Sequence, residues 1–202
     1  MPRRVQYDQP AKFMPTTPLV IQSTDPAPSV VILREVIDSD LPVFFEQQLD
    51  PEAIRMAAFP PRDRQAFMAH WAKIRAQSTV MLRTILFEGR VAGNIVCFPQ
   101  GGEREVGYWI GREYWGQGIA SRALAEFLKQ VTARPLLAHV AKHNLASRRV
   151  LEKCGFILFG ESRVPDAAAG EGEEFILRLA GEAEHGPGQL PAAGSEADAG
   201  TA

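Results

Sequence analysis

The sequence predicts an α+β fold, a mixed β-sheet layered with helices. Three observations carry that prediction. Apolar runs and turn signals order the chain as one strand, two helices, three strands, then helix, strand, helix and two strands. The length, 202 residues, suits one core with appendages better than two full domains. One segment, Ala120 to Val131, carries apolar residues at offsets 0, 3, 4, 7, 8 and 11, a helix face that has to be buried.

Val30-Val31-Ile32-Leu33 is β-branched and reads as the first strand. Asp38-Ser39-Asp40 offers N-caps ahead of Pro42, and Leu41, Phe44, Phe45 and Leu49 recur at helical offsets. Pro51, Pro60 and Pro61 interrupt the next segment, and Phe67, Trp71 and Ile74 mark a second helix ending near Arg75. Residues 79–87 and 91–98 form two strands joined at Glu88-Gly89-Arg90, a hairpin signal. Glu105-Val106-Gly107-Tyr108-Trp109-Ile110 is a fourth strand, and the strong helix follows it. Residues 136–140 are a short buried strand. Asn144 then opens a helix whose inner face is Ser147, Val150, Leu151 and Cys154, with Gly155 as its left-handed cap. Residues 156–159 and 175–179 are the last strands, around a Gly- and Glu-rich loop.

Residues 1–29 hold six prolines and no sustained periodicity, so they read as an extended arm; residues 181–202 hold one leucine, no aromatic, and four acids with no Lys or Arg, so they read as a disordered tail. The domain is expected over residues 30–180, where 19 basic groups face 18 acidic ones. With an overall net charge of -2 and a pI near 6.1, no electrostatic footprint for nucleic acid is present. No apolar run approaches the roughly 18 residues of a membrane helix, and the first residues lack the apolar stretch of a secretory signal. A cytoplasmic protein with no membrane partner is expected. Cys97 and Cys154 fit neither a disulfide framework nor a zinc spacing, and no metal is expected.

The chemistry concentrates where the fourth strand runs through Gly111-Arg112-Glu113-Tyr114-Trp115-Gly116-Gln117-Gly118-Ile119-Ala120-Ser121 into the strong helix. A glycine-rich turn at a helix N-terminus gathers unpaired N–H groups at the positive end of the dipole, an anion cradle. A dinucleotide fingerprint requires a third glycine where Ser121 stands, and a P-loop requires a Gly-Lys-Ser/Thr tripeptide that is absent. The remaining candidate is a coenzyme A diphosphate, with its organic arm along the strand.

These residues closely resemble the Gcn5-related N-acetyltransferase (GNAT) superfamily, in particular the branch of the ribosomal-protein alanine acetyltransferases. The resemblance is densest at residues 105–110 and 114–120 and continues through Asn144-Leu145-Ala146-Ser147 and Val150 to Phe156. It departs from the usual motif at Trp115, where most members carry Gln or Arg. It implies a seven-stranded, mostly antiparallel sheet with about four helices, the fourth and fifth strands splayed around the coenzyme. It further implies direct acetyl transfer from acetyl-CoA to an amine, by a monomer or homodimer.

Site residues follow from the resemblance one by one. Trp109, Ile110, Trp115, Gly116, Gln117, Gly118, Ile119, Ala120 and Ser121 are expected to hold the coenzyme, with an N–H near Ile110 for the oxyanion. Asn144 is expected to bridge the pantetheine arm, though it equally suits a helix cap. Glu105 matches the position that removes the amine's proton through water; the plain alternative is a solvated or ion-paired strand residue. Many relatives place a proton-donating tyrosine where this chain has Leu151, and Ser147 is the nearest substitute. A helix serine also commonly bonds a carbonyl one turn back. Alternation puts Tyr108 and Trp109 on opposite faces, so at most one is expected in the cleft. Residues 50–66 and the loop holding Asp166, Glu171, Glu173 and Glu174 are expected to grip the acceptor. A free α-amine loses its proton near pH 8 whereas a lysine does so near 10.4, which favours a protein N-terminus, an amino acid or another small amine. Leu151 also keeps a second class open, an acyl-CoA sensor without turnover.

Overall fold

The computed structural model describes residues 30–163 and 172–181. The readings made for residues 1–29, for most of 181–202 and for Asp166 and Glu171 lie outside them. The seven strands are β1 (Val31–Arg34), β2 (Met81–Phe87), β3 (Arg90–Gln100), β4 (Glu103–Ile110), β5 (Leu136–Ala141), β6 (Ile157–Arg163) and β7 (Glu173–Leu179). They form one sheet in the order β1-β2-β3-β4-β5-β7-β6. Every pairing is antiparallel except β4 with β5, which is parallel. The α+β reading therefore holds. At the β2–β3 turn Glu88 and Gly89 both take positive φ, 50° and 76°, the twist a two-residue hairpin requires.

Among the described residues, five α-helices accompany the sheet: α1 (Leu41–Gln48), α2 (Pro51–Ala57), α3 (Arg64–Arg75), α4 (Ile119–Leu128) and α5 (Leu145–Lys153). The sequence signal missed α2 because Pro51 reads as a breaker. Pro51 instead occupies the first helical turn, where its absent N–H costs nothing, and the Asp50 carboxylate accepts from the N–H groups of Glu52 and Ala53 at 2.9 Å.

Each face of the sheet has its own core. On one, Ile85, Ile95, Val106, Ile110 and Leu177 pack against Ala123, Leu124 and Phe127 of α4 and Leu151 of α5. On the other, Leu41 and Phe44 of α1 and Phe67 and Trp71 of α3 pack over Leu82 of β2, with the Phe44 and Trp71 rings 5.0 Å apart. Burying side chains of this size contributes about 1.5–3 kcal/mol each. The second core covers only the β1–β3 half of its face.

Asp40 departs from the cap expected of it. Its side chain makes no capping bond to α1, and the residue is 1% exposed. The carboxylate accepts two bonds from the Arg34 guanidinium at 2.6 Å, one from the Thr84 hydroxyl at 2.6 Å and one from the Ile37 N–H at 3.0 Å. Burial pushes this carboxyl up, but those four donors outweigh it and hold it below the ordinary carboxylate range.

Candidate active site

β4 and β5 pair only at Arg104–Leu136 and Glu105–Leu137, and then they separate. β5 continues against β7 through Ala141, and β4 continues against β3 through Ile110. The sheet is thus split in a V whose apex is at Glu105. The Gly111 N–H donates to the Ala92 carbonyl on β3, so strand alternation turns the N–H and C=O of Ile110 away from β3, into the split. The Trp115 indole, donating to the Ile110 carbonyl at 2.8 Å, occupies that side. The Ile110 N–H beside it is offered no partner by β5, as the sequence reading expected of an oxyanion donor.

At the mouth of the split, the chain turns through Gly116 and Gly118, at φ 75° and 71°. Both are left-handed positions, and a Cβ built on either would meet nothing within 4 Å. Gly118 caps α4 with no side-chain hydrogen bond, and the first turn of α4 carries no acid. The N–H groups of Ile119, Ala120 and Ser121 precede the first helical bond, made by Arg122 to Gly118. They are open donors at the positive end of the helix dipole.

A cavity of about 390 Å³ joins this turn to the split. Its lining brings together Trp109, Ile110, Trp115, Gly116, Gly118, Ile119, Ala120, Ser121, Asn144 and Ser147 of the residues expected there. Gln117 and Glu105 are not in the lining. Gln117 is exposed, and its side-chain amide donates to the Glu113 carbonyl at 3.0 Å. Glu105 lies at the apex of the V, half-buried. Burial pushes its carboxyl above the ordinary glutamate range; the Glu174 charge adds to that and His139 opposes it.

The one-face-only reading of Tyr108 and Trp109 is corrected, because both line the cavity. Alternation is obeyed, but the missing β5 partner opens the sheet itself and lets the cavity reach both faces. The Tyr108 hydroxyl donates to the Ser147 carbonyl at 3.2 Å, and burial drives its pKa up to about 12. It is a neutral donor at the inner wall, a role the sequence reading did not give it. Trp109 donates from its indole to the Gln47 carbonyl at 3.2 Å and moors the end of α1 to β4.

Asn144 does what a cap does and more. Its oxygen accepts from the Ser147 N–H at 3.0 Å, and its amide donates to the Met56 carbonyl at 2.9 Å. His143 contacts the Arg55 carbonyl at 2.7 Å, so two adjacent residues tie the end of α2 to the start of α5. Ala53, Met56 and Ala57 of α2 form the cavity's opposite wall, within the segment expected to grip the acceptor. Among the described residues, the Ser147 hydroxyl is not spent on a carbonyl a turn back.

Arg149 and Lys153, one turn apart on α5, also line the cavity, and neither is in an ion pair among the described residues. The i, i+4 spacing of two bases on the helix beside the glycine turn was their only sequence signal. Leu151, 1% exposed, is core. Cys97 is buried, and Cys154 is partly buried with its thiol pushed up by burial; neither lines the cavity. His70 on α3 is partly buried and stands outside the cavity.

The sequence profile of the family described as Acetyltransferase (GNAT) domain matches residues 31–157. The chain belongs to the GNAT acetyltransferase family. No curated protein matches the sequence. Among solved structures, a spermidine N-acetyltransferase from Vibrio cholerae, in complex with CoA and spermine, superposes with a TM-score of 0.65 at 14% identity. It covers 74% of this chain and 95% of its own. RimJ of Mycobacterium smegmatis, in complex with CoA-disulfide, gives 0.64 at 21% identity over 78% of this chain and 85% of its own. The aminoglycoside acetyltransferase AAC(6')-Ib, in complex with coenzyme A, gives 0.62 at 16% over 75% and 95%. Identities this low speak for the GNAT fold alone. Among the described residues, no helix is long and apolar enough to cross a membrane.

Proposed function

We propose that this GNAT protein moves an acetyl group from acetyl-CoA directly to a primary amine, as the ribosomal-protein alanine acetyltransferases it resembles do. The acceptor in this reading is a protein N-terminus, an amino acid or another small amine, and the work is cytoplasmic. The observation that carries the proposal is a single cavity joining the uncapped N-terminus of α4 to the split between β4 and β5.

The α4 N–H groups and the open space above Gly116 and Gly118 fit a diphosphate, and Arg149 and Lys153 supply positive charge beside it. Attack by the amine forms a C–N bond at the thioester carbonyl and places a negative charge on its oxygen. The Ile110 N–H, held by a rigid strand, is the donor for that charge. Breaking the C–S bond leaves a thiolate, for which the Ser147 and Tyr108 hydroxyls are the donors. Glu105, through water, receives the amine's proton; its raised affinity for a proton suits a base.

Calorimetry with acetyl-CoA and thiol release against a panel of amines test this reading. The panel holds peptides with free α-amines, amino acids, polyamines and aminoglycosides. Binding with turnover of α-amines is expected. Binding without turnover of any amine favours a sensor, and no binding at all overturns both.

A further inference from the structure

The half of the sheet that α1 and α3 leave uncovered carries a line of three titratable side chains, one from each of β4, β5 and β7. Glu105 pairs with Leu137 in register, so Glu105 and His139 project from the same face. Glu174, diagonal to His139 across the β5–β7 ladder, shares that face too. The imidazole lies between the two carboxylates: His139 Nδ1 is 3.2 Å from Glu174 and His139 Nε2 is 3.6 Å from Glu105. The Ser162 hydroxyl of β6 donates to the same Glu174 oxygen at 3.4 Å.

Glu105 and Glu174 are the charged groups within ion-pair reach of the ring. The nearby Lys142 ammonium is committed to Glu161 and Glu173. No charge from α2 or α3 pairs with any of the three among the described residues.

A carboxylate only accepts, so in the neutral tautomer that donates from Nδ1 to Glu174 the bare Nε2 faces Glu105. Exposure is highest at the middle of the line: 16% for the Glu105 side chain, 31% for His139 and 21% for Glu174. Gly107, next on this face of β4, keeps the surface clear between Glu105 and Trp109: a Cβ there would meet only Val96, at 3.7 Å.

We propose that His139, oriented by Glu174, is the positioning partner and proton outlet of Glu105, a role that rests on Glu105 being the base of the acetyl transfer. The amine's proton passes to a Glu105 oxygen. A small rotation of that carboxyl closes the gap to Nε2, which takes the proton. That transfer restores the Glu105 carboxylate, and the resulting imidazolium, balanced by Glu174, releases a proton to solvent and returns to the neutral ring. No electron pair leaves the acid–base groups and no further reactant is needed.

The test is the pH profile of kcat/KM for the fastest amine of the panel above, in the full-length chain and in His139→Gln, His139→Ala, Glu174→Gln and Glu105→Gln. For His139→Gln the expectation is a loss of about tenfold, with the acid limb displaced to higher pH, because the positive charge that the protonated ring holds beside Glu105, which favours its carboxylate, is gone. KM for acetyl-CoA should not change, and free imidazole should restore part of the rate to His139→Ala but none to Glu105→Gln. Glu174→Gln, which keeps the ring but not its orientation, should lose less. An unmoved limb at the parent rate in His139→Gln, with Glu105→Gln slow, sinks the outlet alone. Glu105→Gln at the parent rate sinks the base assignment beneath it and leaves acetyl transfer standing.

Discussion

The two faces of β4 present one strand with two chemistries. Val106, Tyr108 and Ile110 point into the apolar core beneath α4 and α5. Glu105, Gly107 and Trp109 point the other way, where the α1–α3 core stops short and carboxylates and an imidazole take over. Where β5 stays hydrogen-bonded to β4, the faces are sealed from each other. Where it leaves, one cavity reaches both. The difference teaches that the site is made by withholding a strand partner, with Glu105 of β4 and His139 of β5 on the face that the α1–α3 core leaves uncovered.

That separation can be broken from the stability side first. Asp40→Ala leaves the Arg34 guanidinium without its buried counter-charge and should cost about 3–5 kcal/mol in urea unfolding at neutral pH. Acetyl-CoA affinity, a property of the other face, should be unchanged. The pH dependence has a definite sign. A carboxyl held low in the folded state contributes stability that is present above its unfolded pKa and lost as pH falls through the folded value. The parent protein should weaken below about pH 4, and Asp40→Asn should flatten that limb.

Next comes the coenzyme face. Gly118→Glu puts a side chain at φ 71° into the space before α4 and a negative charge among its open N–H groups. Calorimetry should show acetyl-CoA affinity down by about a hundredfold or more, close to 2.7 kcal/mol. An unchanged affinity would mean that the diphosphate is held elsewhere.

Tyr108→Phe sharpens the comparison because its hydroxyl is the polar exception on the apolar face. Removing a hydroxyl that only braces Ser147 costs about 1 kcal/mol of stability and leaves kcat intact. Removing a donor to the thiolate lowers kcat about tenfold, and Ser147→Ala then lowers it further. The smallest effect belongs to Asn144→Ala, which loses a cap and a tether and should cost about 1 kcal/mol. KM for the amine should rise more than KM for acetyl-CoA, since the tether holds α2.

The legible part of this molecule was local. Periodicity located all seven strands and four of the helices, and the glycine turn before α4 located the cavity. Gly155 does cap α5, at φ 90°. What escaped depends on groups far apart in sequence. Asp40 reads as a cap until Thr84, 44 residues on, shows that its carboxylate turns inward. His139 and Glu174 are unremarkable residues of two strands until register sets them side by side. Tyr108 with Trp109 failed for another reason: alternation assumes an unbroken sheet, and the parting of β4 from β5 is a fact about pairing, invisible in either strand alone. Pro51 misled because one residue type both breaks helices and begins them.

The indole of Trp115 on the Ile110 carbonyl has a consequence for how such a protein diversifies. In the proposed function, that bond makes the loop that grasps the donor and the strand end that meets its reactive tip a single fixed gauge. The opposite wall, α2, hangs from separate tethers at His143 and Asn144. That wall can therefore be remodelled for new recipients while the gauge stays calibrated to the same donor.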